Sequence, residues 1–400
     1  MVAPGARRCY TALPAPELPG SEAERRLVDA EIVPLRGKAD LREFIRLPVR
    51  LNRDSPWFVP PLEFERRRFL DPARNPFFGH ASVEYFLARA PGGEVLGRLS
   101  AHVDRNFDAV HGGRTGFFGF FECVDDPGVA GPLLAAAEAS LRARGAERVL
   151  GPMNFTTNAE VGTLVAGFEG IPYLMMPWNP PYHARLLEAA GYAREKDLYA
   201  YLISWHGAVP EFIARIAGRA RRSARIAVRQ LEMRRFREEL ELVKTIYNAA
   251  WAKNWGFVPM TDAEIEHMAA ELKPLIDPAL VYLVFVEGEP AGFFLGVPDY
   301  NLLLHRMRGR LFPFGIFRLL LGRRRIGRLR VMTMGVVEKH RRLGLEAVMI
   351  EEIHREGPPR GYLEAEMSWI LEDNVPMNAI ATRLCGPPYR TYRIWGKPLG

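Results

Sequence analysis

The chain has 400 residues, 48% hydrophobic and 25% charged, enough for two ordinary soluble domains, which excludes a disordered, collagen-like or polytopic membrane chain. Three widely spaced cysteines, Cys9, Cys123 and Cys385, with no CxxC or HxxxH spacing, imply no disulfide framework and no metal site. The net charge of +7 is uneven: residues 215–237 hold nine Arg and one Glu, residues 302–330 hold nine Arg and no acid, and the remainder carries −10. Local basic segments bind polyanions such as nucleic acid, lipid headgroups or cofactor phosphates.

In chain order, residues 1–30 read as a flexible leader with no apolar core, so a secretory signal is not expected and the chain is expected to be cytoplasmic. VEYFLARAPGGEVLGRLSAHVD (83–104) reads as a hairpin turning at Pro91-Gly92-Gly93, followed by a strand (115–124), a helix (132–145) and a strand (147–153). Then come an Asn/Thr- and aromatic-rich insertion (154–181), a helix ending on Gly191 and a Tyr-containing strand. An Arg-rich helix is expected over 209–235 and a second helix over 237–254, together linking two halves. The order then repeats: a hairpin (280–299) turning at Glu287-Gly288-Glu289, an insertion (300–328), a strand (329–337), a helix (344–357), a strand (361–370), a helix ending on Gly386 and a Tyr-rich strand. The chain is therefore predicted to be α/β (α+β), with two similar domains, each a mixed central sheet with flanking helices. They span 31–205 and 255–400, with 206–254 between them.

The repeated β-β-β-α-β-α-β order resembles the GNAT superfamily of acyl-CoA-dependent N-acyltransferases, and the loop VVEKHRRLGLE (336–346) resembles its R/Q-x-x-G-x-G/A motif. Backbone N–H groups at a helix N-terminus can cradle a pyrophosphate. The resemblance implies acyl-CoA as co-substrate, held by Val336, Val337, Arg341, Arg342, Gly344 and Leu345, with acyl carrier protein as an alternative donor. Glu346 departs from the motif's last small position. The first-half loop VDDPGVAGP (124–132) has no basic residue, and its two Asp disfavour a phosphate. That assigns the donor to the second half and the acceptor to the first. The segments 151–162, 179–192, 309–325 and 366–374 are similar to a bacterial group of tandem-GNAT proteins that includes bacterial ceramide synthases. Its implied reaction is N-acylation of a sphingoid-base lipid. Fem-type aminoacyl transferases using charged tRNA share a tandem arrangement and form the alternative, as does a catalytically inactive binding protein.

Three segments carry candidate chemistry. In 302–330, Phe312, Phe314 and Phe317 beside Arg323, Arg324 and Arg325 suit contact with an anionic membrane; the apolar run is too short to span one. This points to a peripheral location on the inner membrane face. In 209–235, Arg215, Arg219, Arg222, Arg225 and Arg229 would form one basic stripe on a helix, suited to headgroups or RNA phosphates, with nucleic acid the less favoured partner. In 154–182, Asn154 and Asn158 would offer polar contacts and Met176, Trp178 and Tyr182 an apolar wall for substrate. Amine acylation needs a base, an oxyanion donor and an acid. Glu366 is favoured as base, then Asp373 and Glu160. The resemblance implies a backbone N–H at Val336 or Gly335 as oxyanion donor. The Tyr it implies as acid is replaced by Thr382 and Leu187, which leaves Tyr389 or Tyr392. No GxSxG occurs, and neither Cys123 nor Cys385 has a His nearby in sequence.

Overall fold

The computed structural model describes residues 29–205, 207–309 and 315–400. Residues 1–28 of the expected leader, together with Phe312 and Phe314, lie outside the described residues.

The first half runs β1 (Glu31–Pro34), α1 (Gly37–Leu51), α2 (Glu63–Phe69), β2 (Ala81–Arg89), β3 (Val95–Asp104), α3 (Arg105–His111), β4 (Thr115–Cys123) and α4 (Pro127–Ala143). It continues with β5 (Arg148–Gly151), β6 (Met153–Asn154), β7 (Glu160–Val161), β8 (Thr163–Ala166), α5 (Tyr182–Ala189) and β9 (Ala193–Ser204). After the connecting helix α6 (Glu211–Ser223), the second half runs β10 (Ile226–Gln230), α7 (Phe236–Trp251), α8 (Asp262–Leu272), β11 (Val281–Val286) and β12 (Glu289–Pro298). Then follow α9 (Asn301–Met307), α10 (Gly315–Gly322), β13 (Arg328–Val336), α11 (Leu345–Glu356), β14 (Glu364–Leu371), α12 (Val375–Cys385) and β15 (Arg390–Pro398).

The strands of both halves join one mixed sheet, ordered β1-β2-β3-β4-β5-β15-β9-β14-β13-β12-β11-β10, with β8 also on β15. The order is a near-mirror about its centre because the halves exchange their last strands. β15 pairs with β5 of the first half, and β9 pairs with β14 of the second. The duplication also begins earlier than the hairpins: β10, α7 and α8 repeat β1, α1 and α2, each opening strand lying antiparallel to the outer strand of its hairpin. Left-handed glycines close both turns, Gly93 at φ 85° and Gly288 at φ 84°. In the second half, Leu283 and Phe293 pack with Ile246 of α7, whereas Val284 and Phe294 pack with Leu345 and Met349 of α11. Adjacent strand residues point to opposite faces, so α7 and α11 cover opposite sides of the sheet.

The single helix expected over 209–235 is not formed. Ala224 is extended (φ −152°, ψ 156°) and ends α6, and 226–230 pairs with β11 as an edge strand. The half-buried Ile226 and Val228 alternate with exposed Ala227, a period of two that the Arg spacing masked. The basic residues are therefore divided: Arg215, Arg219 and Arg222 lie on α6, while Arg229 is on a strand, where it bonds Glu239 at 2.8 Å.

Candidate active site

β13 and β14 run parallel and pair only from Arg328–Glu364 to Val331–Met367. Beyond that point the strands part. Met332 and Thr333 on one side and Ser368 and Trp369 on the other line a cavity of about 1020 Å³, counted to its open mouth. α7 and α8 form its outer wall through Val243, Tyr247, Trp251, Ile265 and Met268, and the first half contributes Thr157, Asn158 and Met175. A glycine fixes one contact of this wall: a Cβ on Gly335 would lie 2.2 Å from the Trp251 ring.

A polar network lies where the strands part. Glu366, fully buried, accepts a hydrogen bond from the Ser368 hydroxyl at 2.6 Å and another from the Tyr389 hydroxyl. Arg330 donates through Nε to the Ser368 hydroxyl (3.0 Å) and through its terminal nitrogens to the carbonyls of Leu174 (2.8 Å) and Ser368 (3.1 Å). Burial, then the neighbouring Glu366 carboxylate, push the Tyr389 hydroxyl far above its ordinary value, so it keeps its proton. Ser368 lines the cavity and Glu366 does not, so the hydroxyl is the carboxylate's contact with the cavity. The Thr333 hydroxyl, also on the cavity wall, is buried with no hydrogen-bond partner.

The structure also bears on the choice of backbone donor. Val337 N–H donates to Ala291 O of the β12 side at 2.9 Å. In an extended strand, alternate residues share a direction, so Gly335 points its N–H toward β12 while Val336 and Met334 point theirs toward the parting. Consistent with this, the Val336 carbonyl is met not by β12 but by Arg341 Nε at 3.4 Å.

On the opposite face, α11 begins at Gly344 (φ 76°) with no capping side chain. Arg342 is exposed and has no ion-pair partner among the described residues, and Arg341 is anchored to the Ala250 carbonyl at 2.6 Å. A Cβ on Gly344 would lie 2.7 Å from Ile216 of α6, which brings α6, with exposed Arg215 and Arg219, beside this helix start. Burial raises the Glu346 carboxyl toward its neutral form, easing its repulsion of an anion. Val336 and Leu345 are themselves buried, so any contact they make with a ligand runs through their backbone.

The remaining sequence candidates are dispersed. Glu160 sits in the first half, bonded to Arg66 and to Asn154 Nδ2 (2.9 Å); burial raises its carboxyl, but Arg66 and Asn154 outweigh burial and hold it below the usual range. Asp373 is exposed and paired with Lys196 at 2.9 Å. Tyr392 is sealed between β8 and β9, and its neighbour three residues earlier, Tyr389, is the one that reaches Glu366. Of the expected substrate wall, only Asn158 lines the cavity, where it accepts from Tyr247 OH at 2.5 Å. Met176 is core, and Met175, in a left-handed turn (φ 59°), lines the cavity instead. Trp178 donates to Phe168 O and Tyr182 to Cys123 O, both away from it. Arg330 and Ser368 were missed in the sequence because their value lies in strand register: Arg330 is paired with Glu366. On α10, Phe317 and Leu321 are 61% and 77% exposed, a helical turn apart and beside exposed Arg324 and Arg325, while Arg323 turns inward to Ile276 O. No described helix is long and apolar enough to cross a membrane, and no group of three or more described His, Cys, Asp or Glu residues could hold a metal.

The fold, duplicated around one sheet, is that of tandem GNAT proteins. It aligns with a tandem GNAT protein from the clavulanic acid biosynthesis pathway at TM-score 0.51 and 15% identity, over 93% of this chain and 99% of that one. The chain is 39% identical to the bacterial ceramide synthase of Caulobacter vibrioides (strain NA1000 / CB15N) over 93% of its length and 98% of the relative's. It is 34% identical to protein YghO of Escherichia coli (strain K12), over 90% and 94%. No family model matches the chain. The chain belongs to the tandem-GNAT acyltransferase family that includes this bacterial ceramide synthase, and it is an acyltransferase.

Proposed function

We propose that the protein transfers a long-chain acyl group from a thioester to the amine of a lipid such as a sphingoid base. The observation that carries this reading is the cavity between β13 and β14. It is largely apolar, yet it opens on the Arg330–Ser368–Glu366 network, so a hydrocarbon substrate and a proton acceptor meet in one place. The 39% identity to a ceramide synthase supports the lipid class.

In this reading acyl-CoA approaches from the α11 face. Its phosphates meet the start of α11, Arg342 and the α6 arginines, while Val336 and Leu345 contribute backbone only. Its thioester carbonyl lies at the parting, where the Val336 N–H faces the developing oxyanion. The amine donates its proton to the Ser368 hydroxyl as that hydroxyl passes its own to Glu366, and nitrogen forms the amide bond as the carbon–sulfur bond breaks and the sulfur leaves with the bonding pair as a thiolate. Tyr389 holds the carboxylate from the other side. Acyl carrier protein could present the same thioester, its acidic surface against α6. The exposed Phe317–Leu321 edge of α10, with Arg324 and Arg325, would rest on an anionic bilayer at the inner membrane face and receive the lipid amine there.

Mass spectrometry of the purified protein with a long-chain acyl-CoA and a panel of amines tests the reaction. An amide on a long-chain base is expected, and transfer only to peptides would overturn the lipid reading. Sedimentation with phosphatidylglycerol vesicles tests the surface. Phe317→Asp should reduce binding without lowering the melting temperature, since the ring is exposed.

A further inference from the structure

We propose that the cavity under α7 and α8 is a binding site for one long alkyl chain, and that Met268 and Leu272 limit how much chain it accepts. This rests on the acyl-transfer reading of the network beside it. α7 presents Leu240, Val243, Tyr247 and Trp251 to the cavity at helical spacing, and α8 presents Ile265, Met268 and Leu272. The α7 stretch extends about 16 Å at 1.5 Å per residue, the length of an extended lipid chain rather than of an acetyl group. Lys244 is the one charged side chain on this wall, and its ammonium is drawn off by Asp262 at 2.5 Å.

The character of the lining selects a flexible chain over a flat ligand. Tyr247 and Trp251 stack on each other at 4.7 Å, so they do not form a sandwich for a ring. Four methionines, Met175, Met260, Met268 and Met332, line the space, and unbranched thioethers adapt to a chain of variable shape. Polar lining from the strands is confined to Arg330, Thr333 and Ser368, where β13 and β14 part, which places the chain's reactive end there. Each methylene buried strengthens binding about fourfold.

The chain could belong to the acyl donor or to the amine, and the test separates them. Turnover is measured across short, medium and long thioesters at a fixed amine, and across short and long amines at a fixed thioester, for wild type, Met268→Trp and Leu272→Ala. Met268→Trp should lose at least tenfold in kcat/KM for the long member of one series and keep its rate for the short member. Leu272→Ala should shift the same series toward longer chains. The series that responds identifies the chain's owner. Independently of turnover, a long-chain fatty acid brominated along its chain should quench Trp251 and Trp255 fluorescence in wild type. A short brominated acid should not, and Trp251→Phe should lose part of the signal. If Met268→Trp does not fold, Leu272→Ala and the quenching still decide. Amide formation with unchanged chain preference and no quenching would overturn this site while leaving the acyl-transfer reading intact. Chain-length-dependent quenching with no amide from any pair would overturn the reading and leave the chain site standing.

Discussion

The two places where parallel strands part in this sheet differ in how they are filled. In the first half, β4 and β5 pair only from Thr115–Arg148 to Phe117–Leu150, much as β13 and β14 do in the second. There the gap is shut by backbone: a Cβ on Gly119 would lie 2.0 Å from the Met153 carbonyl, and one on Gly151 would lie 2.3 Å from the Phe118 carbonyl. Asn154 accepts from the Phe120 N–H at 2.7 Å, and Asp126 caps α4 through Gly128 N at 2.8 Å. In the second half β13 turns the Val336 N–H toward the parting and α11 begins at Gly344, which has no side chain to cap it, whereas in the first half the Phe120 and Gly128 N–H groups bond Asn154 and Asp126. One scaffold thus appears twice, its parting closed by backbone in the first half and open onto a cavity in the second.

The comparison can be broken by matched changes. The largest effect is expected for Ser368→Ala, which removes the link between cavity and carboxylate. The turnover number kcat should fall about 100-fold with KM little changed, while Asn154→Ala, its first-half contrast, should lower melting temperature and leave kcat alone. Gly119→Ala meets a backbone carbonyl that cannot turn aside, so a loss of about 1–3 kcal/mol in denaturant unfolding is expected. Gly335→Ala meets the Trp251 ring, which can swing into the cavity, so it should raise KM for the lipid more than it destabilises. Arg342→Glu and Arg219→Glu should each raise KM for acyl-CoA roughly fivefold at low salt, with the difference fading as salt screens it; Arg185→Glu on α5, whose guanidinium bonds Asp125 of the first-half loop, should not.

The smallest effect concerns the contact between the halves. His80 bonds Asp104 at 2.8 Å and Glu264 of α8 at 3.1 Å, and these acids raise it from 6.5 to about 9. A raised folded-state value means that its contribution to stability is complete below about pH 6.5 and is lost as pH rises through about 9. Melting temperature should decline across that window, and His80→Gln should flatten the decline.

Much of the fold was legible because hairpins, helix-ending glycines and a fixed offset repeat on the scale of the local chain. The exchange of β9 and β15 was not, since strand order depends on partners from 160 residues apart (Ser204 and Glu364) to 250 (Arg148 and Pro398), and no local period reports it. The β10 strand was hidden under an Arg spacing that also fits a helix. Of the residues at the candidate site, the sequence marks Glu366 as a carboxylate on a strand and Asn158 as a polar residue of the 154–182 insertion. Arg330 and Ser368 gain their roles only from the register of parallel strands, and Tyr389, just before β15, differs from the sealed Tyr392 within it only in reaching Glu366. The paired Glu160 shows the opposite limit: a carboxylate in a polar stretch reads as reactive until Arg66, 94 residues away, is seen to neutralise it.

The central claim, that the open second-half parting is the reacting centre and the sealed first-half parting is not, is tested most directly by single-turnover acyl transfer with Glu366→Gln and Glu160→Gln side by side. Both are read by mass spectrometry of the amide product and normalised to folded protein. Glu366→Gln is predicted to lose at least 100-fold in rate with thioester binding retained, and Glu160→Gln to keep its rate while losing stability, because Arg66 loses the closer of its two carboxylate partners. Retained transfer in Glu366→Gln together with abolished transfer in folded Glu160→Gln would contradict the account.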